Sequence, residues 1–181
     1  AMQNPIDKVE LRQQLIAARR TMSADEKSAA DKRIRERLSE WLASHQPATL
    51  GAYIAMSAEP ELDPLYETLS SRGMVLAMPV VMTKNQALIY VRWQPGDPLS
   101  RDASGTMAPA RRDDIIKPEV VLAPCLGFND QGFRLGYGGG YFDRTLAQSP
   151  KPTAIGIAYA NCRRGFVAEE HDIPLDLIIT D

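Results

Sequence analysis

The run Arg134-Leu135-Gly136-Tyr137-Gly138-Gly139-Gly140-Tyr141-Phe142-Asp143-Arg144 places four glycines within five positions, directly ahead of a segment that resumes helical character. Glycine lets backbone N–H groups come close to an anion, and a helix N-terminus adds partial positive charge, so this order suits a polyphosphate. Arg134 and Arg144 flank the glycines with guanidinium forks that match phosphate geometry, and Asp143 is a carboxylate of the kind that meets magnesium bridging phosphates. Glycines alone suit a tight turn needing positive φ equally well; the three charged neighbours favour phosphate. The spacing is neither G-x-x-x-x-G-K-[ST] nor G-x-G-x-x-G opening an N-terminal βαβ unit, so the familiar nucleotide fingerprints do not apply. Lys8 and Arg12, four apart on one helical face, fit either a shared anion or a solvated surface.

These residues need elements to hold them. Val9, Leu11, Leu15 and Ile16 recur near helical spacing and predict a helix over Asp7–Met22. Ser23 and Glu26 have capping-box spacing and open a second helix from Ala24 to about Ser44. A buried strand is expected over Thr49–Met56, a short helix over Asp63–Arg72 ended by Gly73, and a strand over Met74–Val81. Ala87–Trp93 alternates as a strand near an edge does, and Gln94-Pro95-Gly96-Asp97-Pro98 breaks it. Leu99–Lys117 shows little periodicity and reads as a long irregular loop. Strands follow at Glu119–Ala123, stopped by Pro124, and at Thr153–Tyr159 and Leu177–Thr180, with a helix over Tyr141–Gln148 between them. The order predicts one α/β domain over residues 1–181, a mainly parallel β-sheet with helices on both faces.

Composition sets the outer bounds. The 181 residues are 44% hydrophobic, enough for one core, and 21 Lys plus Arg against 23 Asp plus Glu leave no field that would hold nucleic acid. Cys125 and Cys162 have no C-x-x-C spacing and no clustered histidine, which argues against zinc and disulfides and for inert buried thiols in a reducing cytoplasm. His45 ends a helix, and His171 has no evident acid–base duty. Ala1 ahead of Met2 reads as a cloning remnant, and the start shows neither a basic nor an apolar targeting region. With no window of roughly 18 apolar residues, no membrane partner is expected.

Pro124-Cys125-Leu126-Gly127-Phe128-Asn129-Asp130-Gln131-Gly132-Phe133, continuing through Arg134 to Arg144, resembles the signature of the 5-formyltetrahydrofolate cyclo-ligase family, roughly P-G-x-x-F-D-x-x-G-x-R-L-G-x-G-x-G-Y-Y-D. The resemblance extends to Lys8 and Arg12 in a K-x-x-x-R arrangement and to His171-Asp172-Ile173-Pro174-Leu175-Asp176-Leu177-Ile178-Ile179-Thr180. Carried over by position, it implies that Lys8, Arg12, Arg134, Leu135, Gly136, Tyr137, Gly138, Gly139, Gly140, Tyr141 and Phe142 contact ATP. It implies Asp143 and Asp176 as magnesium ligands. An acidic residue after the first strand is implied to hold folate, and Ser57-Ala58-Glu59-Pro60-Glu61-Leu62 places Glu59 there, with Glu61 as runner-up. Ile54 would line the pterin pocket, and Tyr137 to Tyr141 would touch folate as well. The chain departs from the pattern at Cys125 for Gly, Asn129 for Asp, Phe142 for Tyr, and Cys162 near a common Gln.

The implied reaction is cyclisation of 5-formyltetrahydrofolate to 5,10-methenyltetrahydrofolate, with ATP as co-substrate, Mg2+ as cofactor and a phosphorylated formyl intermediate. Arg134 would stabilise the transferring phosphoryl group, and Tyr141 would hydrogen-bond the reacting formyl group. The folate substrate is expected with or without a polyglutamate tail, and the protein is expected to act as a monomer. Two other readings remain open from sequence: a non-catalytic nucleotide-binding module, and a phosphosugar isomerase or acyl-CoA transferase on a related scaffold.

Overall fold

The structure is a computed structural model that describes residues 7–56 and 58–181; Ala1 and Ser57 lie outside the described residues. Helix α1, Lys8–Arg20, is capped by Asp7, whose carboxylate accepts from Val9 N at 3.3 Å. Helix α2, Ala24–His45, starts as the capping spacing predicts: Ser23 Oγ accepts from Glu26 N at 3.0 Å. Leu11, Leu15 and Arg19 face inward from α1, and Ala30, Ile34, Leu38 and Leu42 from α2, each set at the three-to-four-residue spacing of a single helical stripe.

Strands β1 (Thr49–Gly51), β2 (Val75–Val80), β3 (Ile89–Arg92), β6 (Val120–Pro124), β9 (Thr153–Ile157) and β10 (Leu177–Ile179) form one sheet in the order β10-β9-β6-β1-β2-β3. All pairings are parallel except β2 with β3, which closes one edge as the alternation over 87–93 predicts. Leu50, Leu76, Met78, Leu122 and Ile155 pack with α1, α2 and helix α3 (Asp63–Ser71). On the other face Ala77, Val121, Ala123 and Ala154 pack with Leu146 of helix α4 (Tyr141–Leu146). The small residues of that second face leave room for Tyr90: a Cβ on Gly51 would sit 2.7 Å from the Tyr90 ring.

Three expectations change. Strand β1 ends at Gly51 instead of Met56, because side-chain hydroxyls take over the backbone groups that a ladder would use. Tyr53 N donates to Tyr66 Oη at 3.1 Å, Tyr66 Oη donates to Tyr53 O at 2.9 Å, and Tyr53 Oη donates to Pro60 O at 2.6 Å. The 99–117 segment is not structureless, since Leu99–Arg101 (β4) and Met107–Pro109 (β5) form a hairpin. One carboxylate builds its turn: Asp102 accepts from Ser104 N, Ser104 Oγ and Thr106 N, and its second oxygen accepts from Val81 N at 2.9 Å, which ties the hairpin to the end of β2. A second hairpin, β7 (Gly127–Phe128) with β8 (Arg134–Leu135), falls inside the glycine-rich region. Its turn is set by Asn129, whose Oδ1 accepts from Gln131 N and Phe133 N. Among the described residues no helix is long and apolar enough to cross a membrane.

Candidate functional site

In a parallel sheet the segments leaving the C-terminal strand ends surround the usual ligand crevice. Here those segments include 52–56 and 58–62 after β1, 81–88 after β2 and 125–140 after β6, and the glycine-rich residues belong to the last. Gly138 (φ 98°) and Gly140 (φ 69°) adopt left-handed backbone that side chains resist, and Gly140 caps α4. A Cβ on Gly139 would lie 2.9 Å from the Tyr141 ring, so the loop folds tightly onto the helix it precedes.

Three arginines hold this loop. Arg12 Nε donates to Gly136 O at 2.8 Å, and Arg144 donates to Gly139 O at 2.7 Å. Arg134 donates to Pro124 O at 2.6 Å, stacks on the Phe142 ring at 4.7 Å, and fills the space where Gly136 would carry a side chain. The N–H groups of 136–140 have no hydrogen-bonded acceptor among the described residues, while Gly136 O and Gly139 O accept from arginines. Amides of this kind, backed by guanidinium charge, are chemically suited to phosphate oxygens. Leu135 is buried and anchors the loop's entrance.

Helix α1 is brought to the loop by close packing, since a Cβ on Gly127 would collide with Leu15 at 2.7 Å. Lys8, one turn before Arg12, places its ammonium 3.0 Å from Glu169 and 3.7 Å from Asp172. Asp143 Oδ1 accepts from Ile173 N at 3.0 Å. Asp176 has other partners: its Oδ2 accepts from Ala154 N at 2.7 Å, at the entrance of β9, with the Lys151 ammonium 3.3 Å away. Among the described residues no cluster of three or more His, Cys, Asp or Glu could hold a metal ion.

Glu59 is buried at 3% exposure and its Oε1 accepts from Met56 N at 2.8 Å, whereas Glu61 is exposed. Burial pushes the Glu59 carboxyl above its ordinary value of 4.5, against the pull of the Met56 N–H and of the Arg19 and Arg134 charges. The folded chain therefore binds this proton more readily than the unfolded chain. Stability contributed by protonated Glu59 is complete below about pH 4.5 and falls as pH rises through the raised value. Glu59→Gln is expected to flatten that fall in urea titrations run across pH 4 to 8; an unchanged pH profile would mean the carboxyl ionises freely. Ile54 is half-buried against the main core. Tyr141 packs its ring beneath Arg144, and its hydroxyl accepts from Asn85 N at 3.4 Å.

Sequence reasoning missed Arg19. The residue is 6% exposed and its guanidinium donates to Tyr137 Oη and to Cys125 O, both at 3.0 Å. The available signal was spacing: residues 8, 12 and 19 lie on one face of α1. Cys125 and Cys162 are buried free thiols, and burial raises the pKa of both, as an inert role requires. A cavity of about 560 Å3 lined by Arg92, Gln94, Asp97 and Arg111 opens beside the start of β2, at the opposite end of that strand from the crevice, and contains none of the predicted residues.

A model of the 5-formyltetrahydrofolate cyclo-ligase family matches residues 5–181. A 5-formyltetrahydrofolate cyclo-ligase from Mycoplasma pneumoniae is 31% identical over 97% of this chain and 99% of its own, and one from Haemophilus influenzae is 24% identical over 94% and 96%. The solved structure of a 5,10-methenyltetrahydrofolate synthetase from Mycoplasma pneumoniae superposes with a TM-score of 0.78 at 28% identity, covering 97% of this chain and 99% of that one. The NMR structure of the Aquifex aeolicus 5,10-methenyltetrahydrofolate synthetase, 24% identical with a TM-score of 0.79 over 95% and 88%, shares the fold.

Proposed function

The chain belongs to the 5-formyltetrahydrofolate cyclo-ligase family, and on that premise we propose that it uses ATP to close 5-formyltetrahydrofolate into 5,10-methenyltetrahydrofolate, releasing ADP and phosphate. The observation that carries this reading is the loop at 136–140, where Arg12 and Arg144 hold the carbonyls of Gly136 and Gly139 and the amides have no hydrogen-bonded acceptor among the described residues. In the proposed sequence the formyl oxygen takes the γ-phosphoryl group, forming an O–P bond as the bond to ADP breaks. N10 then attacks the formyl carbon and loses its proton, and phosphate departs with the former formyl oxygen. Phosphoryl transfer of this kind asks the protein for position and charge more than for covalent chemistry.

Arg12, Arg134 and the loop amides would bind and orient the phosphates, with Lys8 joining from the preceding turn of α1. Buried Glu59 and half-buried Ile54 would receive the pterin, and Tyr137 through Tyr141 would lie between the two substrates. Magnesium, when bound, would supply positive charge that offsets the charge of the phosphates. Asp143 fits as its protein ligand, because one oxygen holds Ile173 N and the other accepts no hydrogen bond among the described residues. Asp176 fits less well, since it is bonded to Ala154 N at the start of β9, the strand end away from the glycine loop, with the Lys151 ammonium beside it. The test is growth of methenyltetrahydrofolate absorbance in a mixture of protein, ATP, Mg2+ and 5-formyltetrahydrofolate. Growth that requires ATP is expected. A flat trace alongside measurable ATP binding would reduce the chain to a nucleotide-binding module.

A further inference from the structure

Among the described residues Arg19 is a buried cation that forms no ion pair and whose Nε has no hydrogen-bond partner. Removing a guanidinium from water costs several kcal/mol unless its protons are well used, so what it holds matters. One terminal nitrogen donates to Cys125 O, just past the end of β6. The other donates to the hydroxyl of Tyr137, a residue of the glycine loop that is 53% exposed and makes no other side-chain hydrogen bond among the described residues. A buried charge thus grips the far end of an otherwise exposed ring and ties the exit of β6 to the loop. Arg12 holds the same loop one residue earlier, at the carbonyl of Gly136, so two residues on one face of α1 grip adjacent positions.

We infer that Arg19 is a positioning residue for nucleotide binding, acting through the Tyr137 hydroxyl to keep the glycine loop in its binding conformation. The rival role is structural, a staple of α1 to Cys125 that happens to meet Tyr137. Tyr137 separates the two, because deleting its hydroxyl removes no core packing and leaves the bond to Cys125 intact. The inference rests on the ATP binding proposed above, and the turnover measurements rest on the proposed reaction as well.

The experiment takes the full chain as Tyr137→Phe, Arg19→Met and the double variant. Binding of a non-hydrolysable ATP analogue is measured by calorimetry, and KM and kcat for ATP in the absorbance assay. Tyr137→Phe is expected to weaken analogue binding and raise KM by about tenfold, in keeping with loss of one charge-assisted hydrogen bond. Its kcat should stay within about threefold, since the bond touches no reacting atom. Arg19→Met should do the same, and the double variant should be no weaker than either single one, because all three break one link. Unchanged analogue affinity in Tyr137→Phe would overturn the inference, as would effects that multiply in the double variant. If Arg19→Met fails to fold, Arg19→Lys takes its place in the same comparison with Tyr137→Phe and the double variant. A parent protein that binds the analogue but forms no methenyltetrahydrofolate would refute the proposed reaction and leave the binding comparison standing.

Discussion

Asp143→Asn is expected to fold as the parent does and to lose at least about a hundredfold in kcat. The fold is spared because an asparagine carbonyl can still accept from Ile173 N, the hydrogen bond that Asp143 makes at 3.0 Å, and the side chain keeps its volume in the first turn of α4. What disappears is one negative charge beside the loop. A metal that offsets developing phosphoryl charge lowers the barrier by several kcal/mol, and each ~1.4 kcal/mol is tenfold in rate, so a poorly held metal costs about a hundredfold or more. The decisive measurements are a thermal melt followed by circular dichroism and kcat across a magnesium titration. Partial recovery at high magnesium would match a weakened ligand. Near-parent activity at every concentration would leave Asp143 as a cap for the chain at Ile173 and nothing more.

What was legible in the sequence shares one property: its physics is local. The cap at Ser23 with the Glu26 amide acts over three residues, the stripes of α1 and α2 repeat every three or four, and the edge strand at 89–92 alternates with a period of two. The glycine loop was legible for the same reason, since its glycines, arginines and helix start are contiguous. Misreadings arose where a side chain from elsewhere replaced a local rule. Strand β1 stops because a hydroxyl 13 residues away bonds the backbone of Tyr53, and the 99–109 hairpin exists because Asp102 ties its turn to Val81. Three-residue strands carry no periodicity that a sequence pattern could register. Arg19 escaped notice because its partner on the loop lies 118 residues away, and the pairing of Lys8 with Glu169 spans 161 residues.

Tyr141→Phe is expected to lower kcat by about a hundredfold while leaving KM for ATP within about twofold. The ring has clear structural duties: it fills the space beside Gly139, lies beneath the Arg144 guanidinium at 5.8 Å, and packs against the smaller core on the α4 face of the sheet. Phenylalanine preserves every one of these contacts. The hydroxyl is only lightly engaged, accepting from Asn85 N at 3.4 Å and donating to nothing among the described residues, so its own proton is free for a substrate. A hydrogen bond that strengthens as charge develops on the formyl oxygen lowers the barrier without adding much to ground-state affinity, which is why kcat should fall while KM holds. Losing one donor of the oxyanion-hole type costs on the order of a hundredfold, whereas losing a hydroxyl that merely touches an exposed loop costs far less. Steady-state kinetics with both substrates varied distinguish the cases. A kcat within about twofold of the parent would confine Tyr141 to supporting the loop, and a rise in KM with kcat preserved would place its hydroxyl on bound nucleotide instead of the reacting group.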